Sequence, residues 1–93
     1  MIKIKICGIT NYEDAINAAN LGVDYLGFNF YKYSPRYIEK SKAKKIIENL
    51  PKNLKKVGVF VNEDINKIKN IVGYCNIDLA QLSGDEDRDY VLN

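Results

Sequence analysis

The sequence contains no histidine and only two cysteines, Cys7 and Cys75, which lie far apart along the chain. Zinc motifs usually pair a cysteine with a second cysteine or a histidine close by, and neither arrangement is present. We therefore predict no metal site. Cys75 stands among apolar residues and is predicted to be buried. The sequence is compatible with a disulfide between the two cysteines, although free thiols are the usual state inside cells.

A long apolar run is also missing. No segment approaches the roughly 20 apolar residues of a membrane-spanning helix. The first residues, MIKIKI, alternate between apolar and charged, unlike the continuous apolar centre of a secretory signal. The 93 residues are 46% hydrophobic and 28% charged, which is ordinary for a small globular domain. These features predict one cytoplasmic domain with no membrane partner.

The net charge of +2 is small but unevenly distributed. Residues 31–56 carry nine Lys and Arg against two acids, a net of +7, together with three tyrosines. Residues 77–93 carry five acids and one arginine, a net of −4. Basic clusters with aromatic residues can bind nucleic acids, but lysines around one short helix more often form a solvated face. We predict no nucleic-acid partner and keep polyanion binding through residues 31–56, by a non-catalytic module, as the alternative function.

Strand-like and helix-like segments alternate along the chain with a repeat of about 25 residues. Runs of β-forming apolar residues predict strands in the first seven residues and at 23–30, 55–62 and 77–84. Periodic apolar residues predict helices at 11–21, from Ser41 to Leu50 and after Asn62 or Asp64, with a fourth beginning near Asp85. This order is typical of βα units in a parallel sheet, either an open doubly wound sheet or part of a (βα) barrel.

Several residues mark the ends of these elements. Thr10 and Glu13 have the spacing of a capping box at the start of the first helix. Gly22 and Gly73 follow helical segments and are predicted to end them in the left-handed conformation. Gly27 interrupts the second strand, which indicates that a neighbouring backbone or a ligand approaches closely there.

The segment KICGIT, residues 5–10, places Cys7 where the first strand gives way to a turn containing Gly8. Side chains of a strand alternate between two faces, so the isoleucines share one face while Lys3, Lys5 and Cys7 share the other. Cys7 therefore lies on the polar face. From this position alone it could be a small residue that fills a strand end or a functional thiol.

Four motifs follow one another at the predicted strand ends: KICGIT, LGFNF with SPRYI, KVGVFVN and DLAQLSGDE. With these motifs in this order, the sequence resembles the phosphoribosylanthranilate isomerase family along essentially its whole length. That family folds as a TIM (βα)8 barrel, and such barrels typically need about 200 residues or more. The resemblance implies that residues 1–93 are the N-terminal (βα)4 half of a barrel, ending near the start of the fourth helix.

The resemblance also implies a reaction. Members of the family catalyse an Amadori rearrangement in tryptophan biosynthesis, converting the phosphorylated small molecule phosphoribosylanthranilate to carboxyphenylamino-deoxyribulose phosphate without a cofactor or metal. The chemistry needs an acid for the sugar ring oxygen and a base for the proton on the second sugar carbon. Cys7 matches the family's general base. Arg36, in SPRYI, matches the position that pairs with the substrate's anthranilate carboxylate.

Other family features are altered or missing in this chain. Gln81 is a weaker candidate that either contacts substrate or packs in the barrel interior, and Ser83 stands where the family commonly has histidine. The family's general acid and its phosphate-binding loops belong to the later strands. The acids of residues 85–89 are interpreted as a helix start rather than as substitutes. The chain alone is expected to be inactive, and to self-associate because sheet edges and one apolar face lack partners.

Overall fold

A computed structural model describes residues 3–83 and 88–91, with Ser83 and the last segment described as backbone alone. The elements in chain order are β1 (Lys5–Ile6), α1 (Tyr12–Asn20), β2 (Tyr25–Asn29), α2 (Lys40–Glu48), β3 (Lys55–Val61), α3 (Ile65–Cys75), β4 (Leu79–Ser83) and β5 (Arg88–Val91). The strands form one sheet in the order β1-β2-β3-β4-β5. The first four strands are parallel, and β5 is antiparallel to β4. The predicted α/β fold of parallel βα units is confirmed.

The two faces of the sheet have different surroundings. The strand register puts one set of apolar side chains on a single face, where they are almost completely buried; these are Leu26, Phe28, Phe60, Ala80 and Leu82. Apolar residues of all three helices join them in one core, so the helices cover this face. Burying a Leu or Phe side chain contributes about 1.5–3 kcal/mol. The helix-covered face therefore holds the fold together and leaves the opposite face for other contacts.

Two aspartates join the amino ends of neighbouring strands. The backbone N–H of Ile4 donates to Asp24 Oδ2 at 2.8 Å, and the Asp24 N–H donates to the Ile4 carbonyl at 2.9 Å. Lys56 and Asp78 make the same pair of bonds, both at 2.8 Å. Each carboxylate accepts a backbone N–H at the start of a strand, which ties that strand to the next one along the chain.

The sheet is curved. The Lys5 ammonium of β1 donates a hydrogen bond to Gln81 Oε1 of β4, although β2 and β3 lie between them. In a flat sheet these strands would be about 14 Å apart, and side chains perpendicular to the sheet could not meet. The face opposite the helices is therefore concave, and a cavity of about 300 Å³ lies on it beside Lys5, Tyr25, Leu79 and Gln81.

Two predicted helix ends are wrong by one to three residues. Helix α1 is capped by Asn11, whose Oδ1 accepts the Asp14 N–H at 2.8 Å, instead of by Thr10 with Glu13. Helix α3 continues through Gly73 to Cys75, and its C-cap Asn76 adopts the left-handed conformation with φ 59°. Asparagine is the residue after glycine that best tolerates this conformation, so both ends keep the expected chemistry at a different position. Gly22, with φ +81°, follows α1 as predicted.

The sequence predicted a helix from near Asp85, and the structure differs there. Asp85 lies outside the described residues, but residues 88–91 form strand β5, which pairs with β4 from Leu79↔Val91 to Leu82↔Arg88. The edge of β4 carries backbone N–H and C=O groups that need partners, and the antiparallel strand supplies them. A pattern of acidic residues read along the chain contains no information about this open edge.

Candidate active site

Cys7 lies where β1 turns away from the sheet. The backbone N–H groups of Gly8 and Ile9 both donate to the Gly27 carbonyl, at 3.0 and 3.1 Å, so the turn is tied to the middle of β2. Gly8 adopts φ +82°, which glycine enters at little cost and other residues rarely adopt. The Cys7 thiol is free and exposed, at the carboxyl end of its strand. Its predicted position at a strand end is confirmed, while its chemical role stays a prediction.

Gly27 makes room for Cys7. A Cβ placed on Gly27 would stand 2.9 Å from the Cys7 Sγ and 3.2 Å from its Cα. Real Cβ atoms essentially never come within 3.0 Å of another heavy atom. The close approach that the sequence predicted at Gly27 is therefore confirmed, and the approaching group is the cysteine itself.

The segment after β2 folds back against the end of its own strand. The Ile38 N–H donates to the Asn29 carbonyl at 2.9 Å, and Asn29 pairs with Tyr37 in an isolated parallel bridge. The Ser34 hydroxyl accepts the backbone N–H of Arg36 at 3.1 Å. These bonds hold the SPRYI segment beside the carboxyl ends of β1 and β2, so Arg36 returns to the edge of the sheet that carries Cys7.

Arg36 lies directly over the turn after Cys7. A Cβ on Gly8 would stand 3.0 Å from the Arg36 Nη1, 3.2 Å from its Cγ and 3.4 Å from its Cβ. The side chain is exposed, and no carboxylate within the described part of the chain forms an ion pair with it. A guanidinium in this setting has its fork of N–H donors available for an external carboxylate. The structure thus places Arg36 against the residue that follows Cys7, so the two residues that the sequence motifs singled out lie at the same turn.

The structure shows the side chain of only one of the two weaker candidates, Gln81 and Ser83. Gln81 lies on the concave face, where its amide oxygen accepts the hydrogen bond from Lys5. The backbone of Ser83 ends β4, and its side chain is outside the described part of the structure. Lys5 is on the same face as Cys7, and its ammonium is directed towards Gln81 across the concavity. Gln81 therefore has a hydrogen-bond partner on the concave face, and a contact between Gln81 and substrate stays a prediction.

Sequence reasoning missed the contribution of Asn29. Its Oδ1 accepts the backbone N–H of Tyr31 at 2.9 Å, and its carbonyl accepts that of Ile38. An asparagine at the end of a strand commonly bonds the backbone two residues later, so the NF in LGFNF was the available signal. Asn29 thereby shapes the loop that carries Arg36.

The lysines of the basic segment have contacts inside the chain. The ammonium groups of Lys40 and Lys44 lie 5.3 and 4.8 Å from the centre of the Tyr74 ring, which joins α2 to α3. Lys42 and Lys45 of the same helix are exposed. This arrangement suits the interpretation as a helix face, and polyanion binding stays an untested alternative.

Two further properties concern the described residues as a whole. No helix among them is long and apolar enough to cross a membrane. Among the side chains that the structure describes, in residues 3–82, no group of three or more His, Cys, Asp or Glu is placed to hold a metal ion.

Comparison with known proteins agrees with this geometry. A sequence model of the family described as N-(5'phosphoribosyl)anthranilate (PRA) isomerase matches residues 4–93. The chain belongs to the phosphoribosylanthranilate isomerase family. The resemblance found in the four motifs is therefore confirmed, and it extends over the whole matched range.

Individual phosphoribosylanthranilate isomerases are closely similar in sequence. The N-(5'-phosphoribosyl)anthranilate isomerase of Syntrophus aciditrophicus is 50% identical over 90 residues, which make up 97% of this chain and 39% of that protein. The one from Chloroherpeton thalassium is 51% identical over 82 residues, or 88% of this chain and 37% of that protein. The chain thus spans less than half the length of these curated relatives.

Solved structures of the family have the same fold. The crystal structure of phosphoribosyl anthranilate isomerase from Thermotoga maritima superposes with a TM-score of 0.91 at 45% identity, covering 92% of this chain and 42% of that one. A second such structure, also at 0.91 and 45%, is a complex with reduced 1-(o-carboxyphenylamino)-1-deoxyribulose 5-phosphate. The curved sheet of this chain therefore corresponds to part of a TIM-barrel isomerase.

Proposed function

We propose that this chain forms the N-terminal half of a phosphoribosylanthranilate isomerase and supplies part of its active site. The enzyme converts N-(5-phosphoribosyl)anthranilate to carboxyphenylamino-deoxyribulose 5-phosphate by an Amadori rearrangement in tryptophan biosynthesis. The observation that carries the proposal is that Arg36 packs on Gly8, the residue that directly follows Cys7. It occurs at the carboxyl ends of parallel strands, where TIM barrels have their active sites.

Cys7 acts as the general base of this reaction. Once the sugar ring is open, Sγ takes the proton from the second sugar carbon, the electron pair of that C–H bond forms the C=C double bond of the enolamine, and the electrons of the C=N double bond move onto the nitrogen. Cys7 is exposed at the strand end, so a substrate on the concave face can reach its sulfur. A well-placed general base contributes about 10²–10⁴-fold to the rate. The exposed free thiol also suits a reducing cytoplasmic setting.

Arg36 binds the anthranilate carboxylate. Its guanidinium is planar and can meet a carboxylate with two parallel hydrogen bonds. In one related structure the bound ligand carries both a carboxyphenyl group and a phosphate. With its stem lying on Gly8, Arg36 can hold the carboxyphenyl end of such a ligand beside the turn that carries Cys7.

The remaining groups come from the other half of the barrel. A general acid must protonate the ring oxygen, and the phosphate needs its own binding loops; the family places both after later strands. We therefore expect the 93-residue chain alone to lack isomerase activity.

A chimaeric enzyme tests the proposal. This chain replaces the aligned segment of the Syntrophus aciditrophicus relative, which is 50% identical to it, and turnover is followed by the loss of substrate fluorescence. Cys7→Ser should lower kcat by about 10²-fold or more while KM changes little, because proton abstraction occurs only in the transition state. Cys75→Ala, which removes the buried thiol, serves as the matched control and should keep kcat.

Two results would count against the proposal. Near-wild-type kcat in the Cys7→Ser chimaera would exclude Cys7 as the base. A correctly folded but inactive chimaera, judged by circular dichroism and thermal melting, would contradict the proposed function itself.

A further inference from the structure

Two glycines in this site touch the proposed reacting and binding groups, although neither has a side chain. Gly27 lies beneath Cys7, and Gly8 lies beneath Arg36. Their carbonyl and N–H groups also join them, because the Gly8 N–H donates to the Gly27 carbonyl at 3.0 Å. The two glycines thus form one hydrogen-bonded surface, which the thiol contacts at Gly27 and the Arg36 side chain contacts at Gly8.

At Gly27 the missing Cβ determines where the thiol lies. An added methyl group would be 2.9 Å from Sγ, 3.2 Å from Cα and 3.4 Å from Cβ of Cys7. Rotating the thiol away would relieve the first of these contacts but not the second, which involves the backbone. Alanine at this position would therefore turn the sulfur and also push the end of β1 away from β2.

At Gly8 the missing Cβ determines where the guanidinium lies. An added methyl group would meet Nη1, Cγ and Cβ of Arg36 at 3.0, 3.2 and 3.4 Å. These atoms belong to a flexible, exposed side chain, which can swing outward at little cost. Alanine would also have to adopt φ +82°, a left-handed conformation that side chains other than glycine's hydrogen disfavour. Displacement of Arg36 would thus weaken ligand binding, and the backbone strain would lower the stability of the fold.

We infer that Gly27 and Gly8 are positioning residues: Gly27 sets the place of the Cys7 thiol and Gly8 sets the place of the Arg36 guanidinium. The inference rests on the proposed function for its effect on turnover, and on geometry alone for the placement of the two groups. The two glycines therefore have different effects on the reaction. Gly27 acts on the chemical step through Cys7, and Gly8 acts on carboxylate binding through Arg36.

The chain offers matched controls for each substitution. Gly22 has φ +81°, but a Cβ added there would meet no atom of the described residues within 4 Å, so Gly22→Ala reproduces the strain of Gly8→Ala without the contact. The same open space surrounds a Cβ added at Gly73. A Cβ on Gly58 would instead meet the rings of Phe60 and Phe30, at 3.0 and 3.2 Å. Gly58→Ala therefore disturbs the packing of the sheet without touching Cys7.

The first experiment uses this chain itself, with Cys75→Ala so that one thiol remains, at a protein concentration low enough that the chain is monomeric. The alkylation rate of Cys7 is measured with iodoacetate, an anion, and with neutral iodoacetamide. A nearby guanidinium attracts the anion, so Gly8→Ala should lower the iodoacetate-to-iodoacetamide ratio towards that of Arg36→Met, by up to about fivefold. Gly22→Ala should leave the ratio unchanged. A ratio that stays at the wild-type value in Gly8→Ala would overturn the assignment of Gly8.

Gly27→Ala should change the rate with neutral iodoacetamide by about threefold or more, because the sulfur moves and this rate does not depend on the charge of Arg36. Gly58→Ala and Gly73→Ala should leave both rates at the wild-type value. If Gly27→Ala prevents folding, the double variant with Cys7→Gly, which removes Cβ and Sγ of the cysteine, should restore it. Unchanged rates, or a double variant that stays unfolded, would overturn the assignment of Gly27.

Kinetics of the chimaera then separate this inference from the proposed function. Gly27→Ala should lower kcat about tenfold or more with a smaller change in KM, whereas Gly8→Ala should raise KM more than it lowers kcat. Equal effects of both variants on kcat and KM would contradict these different effects of the two glycines. If the unsubstituted chimaera proved inactive, the proposed function would fail, while the alkylation ratios would still decide the placement of the two groups.

Discussion

Cys7 and Cys75 have the same side chain in opposite surroundings. Cys75 is 1% exposed and its Sγ lies 3.3 Å from the Lys40 carbonyl, to which the thiol donates. Burial raises the pKa of the Cys75 thiol above its ordinary value of 9.0, and the nearby charges of Lys44 and Lys40 offset this only in part. Cys7 is exposed. Burial therefore keeps one thiol protonated inside the core, while exposure makes the other available to a substrate.

The pKa of Cys75 has a consequence for stability at high pH. Above pH 9.0 the unfolded chain begins to lose this thiol proton while the folded chain retains it, so the free energy of unfolding falls as pH rises. The difference in unfolding free energy between wild type and Cys75→Ala should thus be constant below pH 9 and shrink above it. Its slope should reach at most about 1.4 kcal/mol per pH unit. Urea unfolding in reducing buffer measures it, and a difference that grows with pH would contradict the assignment.

Arg36 leads to a prediction about binding. In the chimaera, Arg36→Met should raise KM about tenfold or more and change kcat less, because the proposed hydrogen bonds to the carboxylate would be lost from both the bound substrate and the transition state. Arg88→Met is the control, since Arg88 belongs to β5 and not to the SPRYI segment. An unchanged KM in Arg36→Met would show that this arginine is a solvated loop residue.

For single residues, the sequence predicted those features that depend on the alternation of side chains along one strand. The placement of Cys7 opposite the isoleucines and the close approach at Gly27 both followed from a period of two and a missing side chain. The contact of Arg36 with Gly8 could not be predicted in the same way. It depends on the path of the loop after β2, which is set by the Asn29 and Ser34 hydrogen bonds.

The start of α1 shows that a helix can be predicted correctly while its capping residue is predicted wrongly. Asn11 begins α1 with an extended backbone, and its side chain both accepts the Asp14 N–H at 2.8 Å and donates to the Asp14 carboxylate at 3.0 Å. Thr10 and Glu13 have the same spacing one residue earlier, so the sequence contains two overlapping capping signals. Only the register of the helix, set by burying Ala15 and Ala18, selects between them.

Substitution of the cap tests this choice. Asn11→Ala should lower the free energy of unfolding by about 1 kcal/mol, because a helix N–H loses its side-chain partner. Thr10→Ala should change it by less than about 0.5 kcal/mol. Chemical unfolding of the two variants side by side measures the difference. A larger loss in Thr10→Ala than in Asn11→Ala would restore the capping box that the sequence suggested.

Among the elements, the three helices and four parallel strands were predictable, and β5 was not. Helices α1 to α3 each have an apolar stripe that their own sequence displays, and β3 is a nearly continuous apolar run. Pairing of β5 depends on the open edge of β4, which exists only in the assembled sheet. Local pattern determines an element, whereas edges and curvature arise from the elements together.

On the scale of the whole molecule, the sheet is covered on one side only. The helices pack on one face. The concave face has half-buried apolar side chains such as Val59 and Leu79, and Leu79 lines the cavity of about 300 Å³. A domain normally buries both faces of a parallel sheet against further layers. Strand β5 satisfies the edge of β4, so the concave face, more than that edge, is the surface in need of a partner.

We therefore expect this chain to self-associate through its concave face. At micromolar concentration, sedimentation velocity and light scattering should show species larger than one chain, with a mass that rises with concentration. Leu79→Lys places a charge on that face and should shift the equilibrium towards the monomer. Leu21→Lys is the matched control, because Leu21 is 80% exposed at the end of α1, outside the concave face, and its substitution should leave the association unchanged. A wild-type chain that stays monomeric at all concentrations would contradict the prediction, since the curved sheet would then be stable with one face open to water.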